Sequence, residues 1–376
     1  LLVSKKYLRE EKFMDKMADV LGRAGAWCGQ NKYLSAIKNA FQNFMPLTIA
    51  GAIGVLWCNV LVNDQTGLGL FFKPIMALDF LNPAFQAVNF CTISCITVGI
   101  TLGIAQEIGV WNMGAEKAGY IPGLVGLAAW LSVTNTSHMV EGAKEAFTGI
   151  AGNELGATGL FTGMIIGVLS VELFCFFEKQ DALKIKMPEQ VPPGVARAFE
   201  VLVPATITLI ITACIGSACY NLTGLYLNDV IKNGIQGPLG AVGATIPGVM
   251  IIYLVIMLFW LVGIHGNNML SAVKEALFTP LALENVEKFN KGEKPTNIIN
   301  MYALQMWGEF GGSGVTIGLV IAIMIFGKRE DNKAIATLSL VPGLFNINET
   351  VTFGVPMVLN PILGIPFVFA CLVTIL

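Results

Sequence analysis

Charge is what this sequence has least of. Of its 376 residues, 13% are Asp, Glu, Lys or Arg, about half the share found in soluble globular domains. That scarcity argues against an ordinary soluble domain with a fully solvated surface. The net charge of −2 supplies no basic footprint, and no nucleic-acid partner is expected. Histidine is scarcer still, with two in the whole chain. The eight cysteines (Cys28, Cys58, Cys91, Cys95, Cys175, Cys214, Cys219 and Cys371) include no CxxC pair, so neither a metal site nor a disulfide framework is expected. Most of them sit in apolar runs, where cysteine behaves as a small hydrophobe. No cleavable signal peptide is expected, because the N-terminus is charged and amphipathic rather than apolar.

What is abundant is apolar. Hydrophobic residues make up 55% of the chain, and mean hydropathy is +0.69. They cluster. From Asn233 to Val273 the only group that titrates near neutrality is His265, and from Ala334 to Leu376 the only charged residue is Glu349. Runs of this kind read as bilayer crossings, which need roughly 20 apolar residues each. The chain reads as an all-α polytopic membrane protein of about ten crossings in two halves, with re-entrant hairpins and amphipathic helices.

Residues 4–40 carry eight Lys/Arg, and Tyr7, Leu8, Phe13, Met17, Val20 and Leu21 recur at near-helical spacing. Segment 1–40 is therefore expected to lie at the cytoplasmic face. A first membrane half, 41–240, contains spans near 41–62, 86–106, 120–133, 158–177 and 200–220. The charged, proline-containing loop 178–200 is placed in the cytoplasm. "GLYLNDVIKNGI" (224–235) reads as an interfacial helix or a connector between halves. The second half, 241–376, has clear spans at 244–264 and 310–326. Segments 271–309 and 340–357 are too polar or too broken for plain spans, and re-entrant hairpins fit them. The "GKREDNK" loop (327–333) is expected in the cytoplasm, and simple alternation then leaves one return crossing unassigned.

Ionisable groups in membrane segments are costly and usually face a protein interior or a water-filled cavity. His265 in "GIHGNN" and Glu349 in "FNINET" are thereby singled out. Each is flanked by asparagine and near glycine. Amides and carboxylates bind hydroxyls by paired hydrogen bonds, and glycine permits close backbone approach. Interrupted apolar segments around polar residues point to a transporter's binding site. The plainer readings stand beside these. His265 at a span end reads equally as a helix C-cap, Trp260 equally as an interfacial belt residue or as a platform for a sugar ring, and Glu172 as a packing contact or an interface group. His138 lies in a polar loop and reads as solvated. "GGSG" (311–314) is no phosphate loop, since no GK[ST] follows, and the sequon-like Asn348-Glu349-Thr350 is a chance match in apolar surroundings.

Four stretches together resemble a known family. "WLVGIHGNN" (260–268), "FGGSGVTIGLVIA" (310–322), "FNINETVTFGVPMVLNPILGIPF" (345–367) and, more weakly, "LGATGLFTGMIIG" (155–167) resemble the enzyme IIC membrane subunit of the bacterial phosphoenolpyruvate-dependent sugar phosphotransferase system, lactose/cellobiose/diacetylchitobiose branch. The resemblance spans essentially the whole chain and implies that the pattern continues past Leu376. It implies a bacterial plasma-membrane homodimer whose first half forms the dimer interface and whose second half carries the sugar site. It implies that His265 and Glu349 contact a disaccharide, with Trp260 and Asn268 nearby; Asn346 and Asn348, which flank Glu349, join them as candidate sugar-binding amides. One departure is that Thr350 stands where the family usually has proline.

The resemblance also implies group translocation. A partner IIB subunit bearing a phosphocysteine, charged by IIA, phosphorylates the sugar 6-hydroxyl; no such donor domain is visible in this chain, and no cofactor or metal is called for. Such a reaction asks mainly for positioning plus a group that takes the hydroxyl proton. Glu349 is the expected catalytic acceptor and His265 its helper. The rival readings are an ion-coupled sugar transporter, with Glu349 binding a proton or sodium, and a membrane enzyme without transport.

Overall fold

A computed structural model describes residues 16, 19–65, 67–138, 147–188, 190–355, 357–358 and 360–376. The expected N-terminal apolar positions Tyr7, Leu8, Phe13 and Met17 lie outside the described residues; residues 19–30 are helical. The chain forms two units, Ala36–Pro238 and Leu239–Leu376 taken with Leu1–Ser35. Nearly all regular structure is helical. Among the described residues the exception is a two-residue ribbon, Ser137–His138 against Phe147–Thr148. His138 lies against Phe147 there, with ring centroids 5.6 Å apart and the planes tilted by 32°.

Among the described residues three helices are long and apolar enough to cross a bilayer, rising to five if each bent pair counts as one. Lys32–Leu56 continues through a π-turn to Leu61; the others are Ala157–Glu178 and Pro193–Thr223. The expected span 86–106 is broken. Asn82–Asn89 runs into a π-turn at Phe90–Ser94, and Ile96–Met113 leaves at 41°. A π-turn inserts a residue into the helical ladder and is a recognised cause of kinks.

In the Ala36–Pro238 unit, small residues let helices approach closely. A Cβ on Gly163 would lie 2.2 Å from Thr101 Oγ1, and one on Gly126 would lie 2.3 Å from Ala105 Cβ. The "TGMIIG" stretch is thus the contact face of Ala157–Glu178 toward Ile96–Met113. Ile96, Ile100, Ile104 and Ile108 recur every four residues and are all buried, as one face of a 3.6-residue helix requires. Glu172 accepts from Asn112 Nδ2 at 3.3 Å, a contact between helices. The buried Glu178 is paired with Lys117 at 2.8 Å and Arg197 at 3.0 Å.

The unit containing Leu239–Leu376 is built on Ile246–Leu261, capped by Thr245 Oγ1. Its buried Val249, Tyr253, Ile256, Met257 and Trp260 pack on Phe278 and Ala282 and on Phe367, Cys371 and Leu372 of Pro361–Ile375. Segment 271–309 is largely helical: Gly266–Asn290 turns through residues 291–300 into Met301–Gly308. Asn285 holds that turn, its Oδ1 accepting from Thr296 N at 3.1 Å and Asn297 N at 3.0 Å. The expected 310–326 span is shorter than its apolar run, because helix begins only at Thr316. Gly311, Gly312, Gly314 and Val315 all have positive φ, at 80°, 97°, 78° and 54°, a conformation no α-helix accommodates. For a β-branched valine this is strained backbone. Glu330–Leu344 and the short Glu349–Gly354 follow, joined by a turn with Asn346 at φ 61°. Thr350 occupies the second position of the short helix, where an N–H has no helical partner in any case and proline would be equally admissible.

Candidate functional site

The site begins where Ile246–Leu261 ends. Gly263 turns the chain at φ 79°, and Gly266 tucks so close to the preceding helix that a Cβ would lie 2.0 Å from Ile256 O. Between them His265 caps the next helix. Its Nδ1 accepts from Asn268 N at 3.2 Å, satisfying one of the unpaired N–H groups of a helix start. His265 is therefore an N-cap of the following helix rather than a C-cap of the preceding one.

That bond sets the tautomer. A ring nitrogen that accepts carries no proton, so the neutral imidazole keeps its hydrogen on Nε2. Nε2 lies 3.2 Å from Glu349 Oε1 and donates to it. Glu349 is the first residue of its short helix. Both side chains remain partly open, at 34% and 43% relative exposure. The second carboxylate oxygen has no hydrogen-bond partner among the described residues, which leaves it able to accept from a hydroxyl.

The remaining expected residues divide. Asn268 is exposed beside His265. Asn346 is exposed, with its Oδ1 accepting from Gly311 N at 2.9 Å. Asn348 is buried, and its Nδ2 donates to Ser313 O at 2.9 Å and Thr352 Oγ1 at 3.1 Å; its amide nitrogen serves the fold. Trp260 differs from an open aromatic platform. It is fully buried and lies against His265, with centroids 4.4 Å apart at 45°, and near Phe353 at 6.1 Å. In this conformation its aromatic partner at the site is the histidine. Nε1 of Trp260 is buried without a hydrogen-bond partner among the described residues.

Sequence reasoning missed a charged network beneath the pair. Lys274 and Glu309 are 4% and 9% exposed and form an ion pair. Tyr253 Oη donates to Glu309 at 2.7 Å, Lys274 Nζ donates to Asn267 Oδ1 at 3.0 Å, and Asn267 Nδ2 donates to Ser313 Oγ at 2.8 Å. Two signals were available. Glu309 is the only charged residue from 295 to 327, and Asn267 and Lys274 are seven apart, hence on one helix face. No cluster of metal-ligating residues occurs among the described residues.

The family described as "Phosphotransferase system, EIIC" matches residues 38–371. The chain belongs to this family. An oligo-beta-mannoside-specific EIIC component from Bacillus subtilis (strain 168) is 32% identical over 370 residues, covering 97% of this chain and 80% of that protein. A lactose-specific EIICB component from Staphylococcus aureus (strain COL) is 33% identical, covering 92% of this chain and 58% of that protein. The crystal structure of the transporter ChbC, the IIC component from the N,N'-diacetylchitobiose-specific phosphotransferase system, superposes with a TM-score of 0.82. Its sequence is 29% identical, and the match covers 93% of this chain and 81% of that one. This EIIC chain is accordingly a helical, membrane-type sugar-transport component, and EIIC components work with EIIB and EIIA partners.

Proposed function

We propose that this EIIC chain imports a disaccharide of the cellobiose, lactose or diacetylchitobiose type across the bacterial plasma membrane and presents its 6-hydroxyl for phosphorylation. The observation that carries the reading is the His265–Glu349 pair: an imidazole N–H fixed on one carboxylate oxygen at 3.2 Å, with the other oxygen available to a substrate. The substrate class is supported by the mannoside, lactose and diacetylchitobiose named for similar proteins. In the proposed step the phosphorus–sulfur bond of a phosphocysteine on the EIIB partner breaks, a phosphorus–oxygen bond to the sugar O6 forms, and the thiolate leaves. Glu349 takes the hydroxyl proton, and His265 steadies the carboxylate by its Nε2–H. Positioned proton transfer of this kind contributes about 10²–10⁴-fold. Asn268 and Asn346, both exposed, are the amides within this reading that bind sugar hydroxyls, and Trp260 sets the plane of His265 from behind.

The wider arrangement proposed is a homodimer with its interface in residues 41–240, the sugar site in 241–376, and a cytoplasmic N-terminus. Toward the proposed total of about ten crossings, the described residues supply up to five long spans and three shorter apolar helices, Ile121–Val133, Thr316–Phe326 and Ile362–Ile375. The deciding experiment places the purified protein in vesicles with a phosphorylated EIIB partner and each disaccharide in turn. Sugar 6-phosphate in the EIIB compartment is the expected product. Uptake of free sugar that an uncoupler abolishes would instead establish ion-coupled transport.

A further inference from the structure

His265 and Glu349 are each two positions or fewer from a residue anchored on Ser313. Asn267 reaches the Ser313 hydroxyl at 2.8 Å, and Asn348 reaches the Ser313 carbonyl at 2.9 Å. Ser313 is itself buried, inside the run of positive-φ residues that holds its hydroxyl toward one helix and its carbonyl toward the other. The packing there has no slack, because a Cβ on Gly312 would lie 2.4 Å from Asn348 Cβ. On the far side Asn267 accepts from Lys274, which is paired with Glu309 and lies 5.4 Å from the centre of the Tyr253 ring. One connected set of buried and half-buried bonds therefore runs from Glu309 through Lys274 and Asn267 to Ser313 and Asn348, and two of its members, Asn267 and Asn348, stand beside His265 and Glu349 in the chain.

We propose that the buried Lys274–Glu309 ion pair, acting through Asn267 and Ser313, is a positioning device that holds His265 and Glu349 in register for the reaction. The inference rests on the phosphoryl-transfer reading above. Replacing a buried ion pair by apolar side chains is often neutral for stability, so its presence in an apolar core asks for a use other than folding. The pair reaches Asn267 through Lys274, two positions beyond the histidine, and thereby links the histidine's helix to the glycine-rich turn that carries Ser313. An apolar pair would fill the same volume but leave Asn267 Oδ1 without its cation. In so stiff a setting a small displacement of Asn267 carries to its neighbour His265.

The test compares parent protein, the double variant Lys274→Met/Glu309→Met, and Ser313→Ala, each purified and supplied with phosphorylated EIIB partner. The double variant avoids the lone buried charge that a single substitution would strand. Turnover at saturating sugar is expected to fall roughly tenfold to a hundredfold in the double variant, the scale of a misplaced reacting group, with sugar Kd changed less than about threefold. Ser313→Ala is expected to fall in the same direction, and Ser313→Thr, which keeps the hydroxyl, to recover part of the loss. Turnover and Kd both within about twofold of parent in either folded variant would overturn the proposal. So would parent-like Ser313→Ala beside a double variant that does not fold, because the pair would then be serving the fold alone. Failure of the parent itself to yield sugar phosphate would count against the phosphoryl-transfer reading, which separates the two ideas.

Discussion

His265 Nε2 donates to Glu349 Oε1 across 3.2 Å, although 84 positions separate the two residues in the chain. The contact joins the start of one helix to the start of another, and it exists because the histidine's other nitrogen is already committed to Asn268 N. A residue that is both a helix cap and a hydrogen-bond donor to the site has two separable contributions.

Glu349→Gln keeps the size and most of the hydrogen-bonding capacity of the side chain but cannot take a proton. Phosphorylation of bound disaccharide is expected to fall about 10²–10⁴-fold, while sugar affinity changes far less. Binding and phosphorylation measured on the same purified preparation check this. Near-parent phosphorylation would remove Glu349 from the chemistry.

His265→Asn and His265→Ala divide the two roles of the histidine. Asparagine is a good N-cap, so His265→Asn should melt close to parent yet lose turnover along with the Nε2–H. His265→Ala loses the cap as well, at a further cost of about 0.5–2 kcal/mol. Thermal melting and turnover, read together, decide; equal melting of the two variants would argue that the cap contributes nothing.

Trp260→Phe keeps an aromatic surface behind His265, whereas Trp260→Ala opens a cavity in a fully buried position. The alanine variant is expected to lose about 3–5 kcal/mol of stability, and the phenylalanine variant much less, with most turnover retained. If Trp260→Phe instead loses sugar affinity with its stability intact, the indole touches the sugar directly in another state of the transporter.

Gly266→Ala places a methyl group 2.0 Å from Ile256 O, and the obstacle is helix backbone that cannot swing aside. Overpacking of this kind costs about 1–3 kcal/mol or more. Folded yield should drop, and His265 should move away from Glu349. Gly234→Ala, at a site with nothing within 4 Å of a new Cβ, is the control and should behave like parent.

Residue order and composition by themselves determined the class of this protein. Long runs without charge can be stable only in lipid or in a large apolar interior, because an unpaired charge there is costly. The same cost made His265 and Glu349 conspicuous as the lone ionisable groups of their stretches, and polarity together with breaks at glycine and proline marked 271–309 and 340–357 as something other than plain spans. Tertiary structure alone decided what each group touches. Hydropathy reports how dry a position is, not which side chain meets it, so nothing in the order of residues showed that the indole of Trp260 would lie under the histidine or that the amide of Asn348 would be spent on Ser313 and Thr352. Lys274 stands next to Glu275 in a partly polar stretch, where a lysine reads as solvated. Its burial against Glu309, 35 positions away, follows only once two helices and a left-handed glycine turn have packed together, because a buried charge is tolerated only where its partner is held in place.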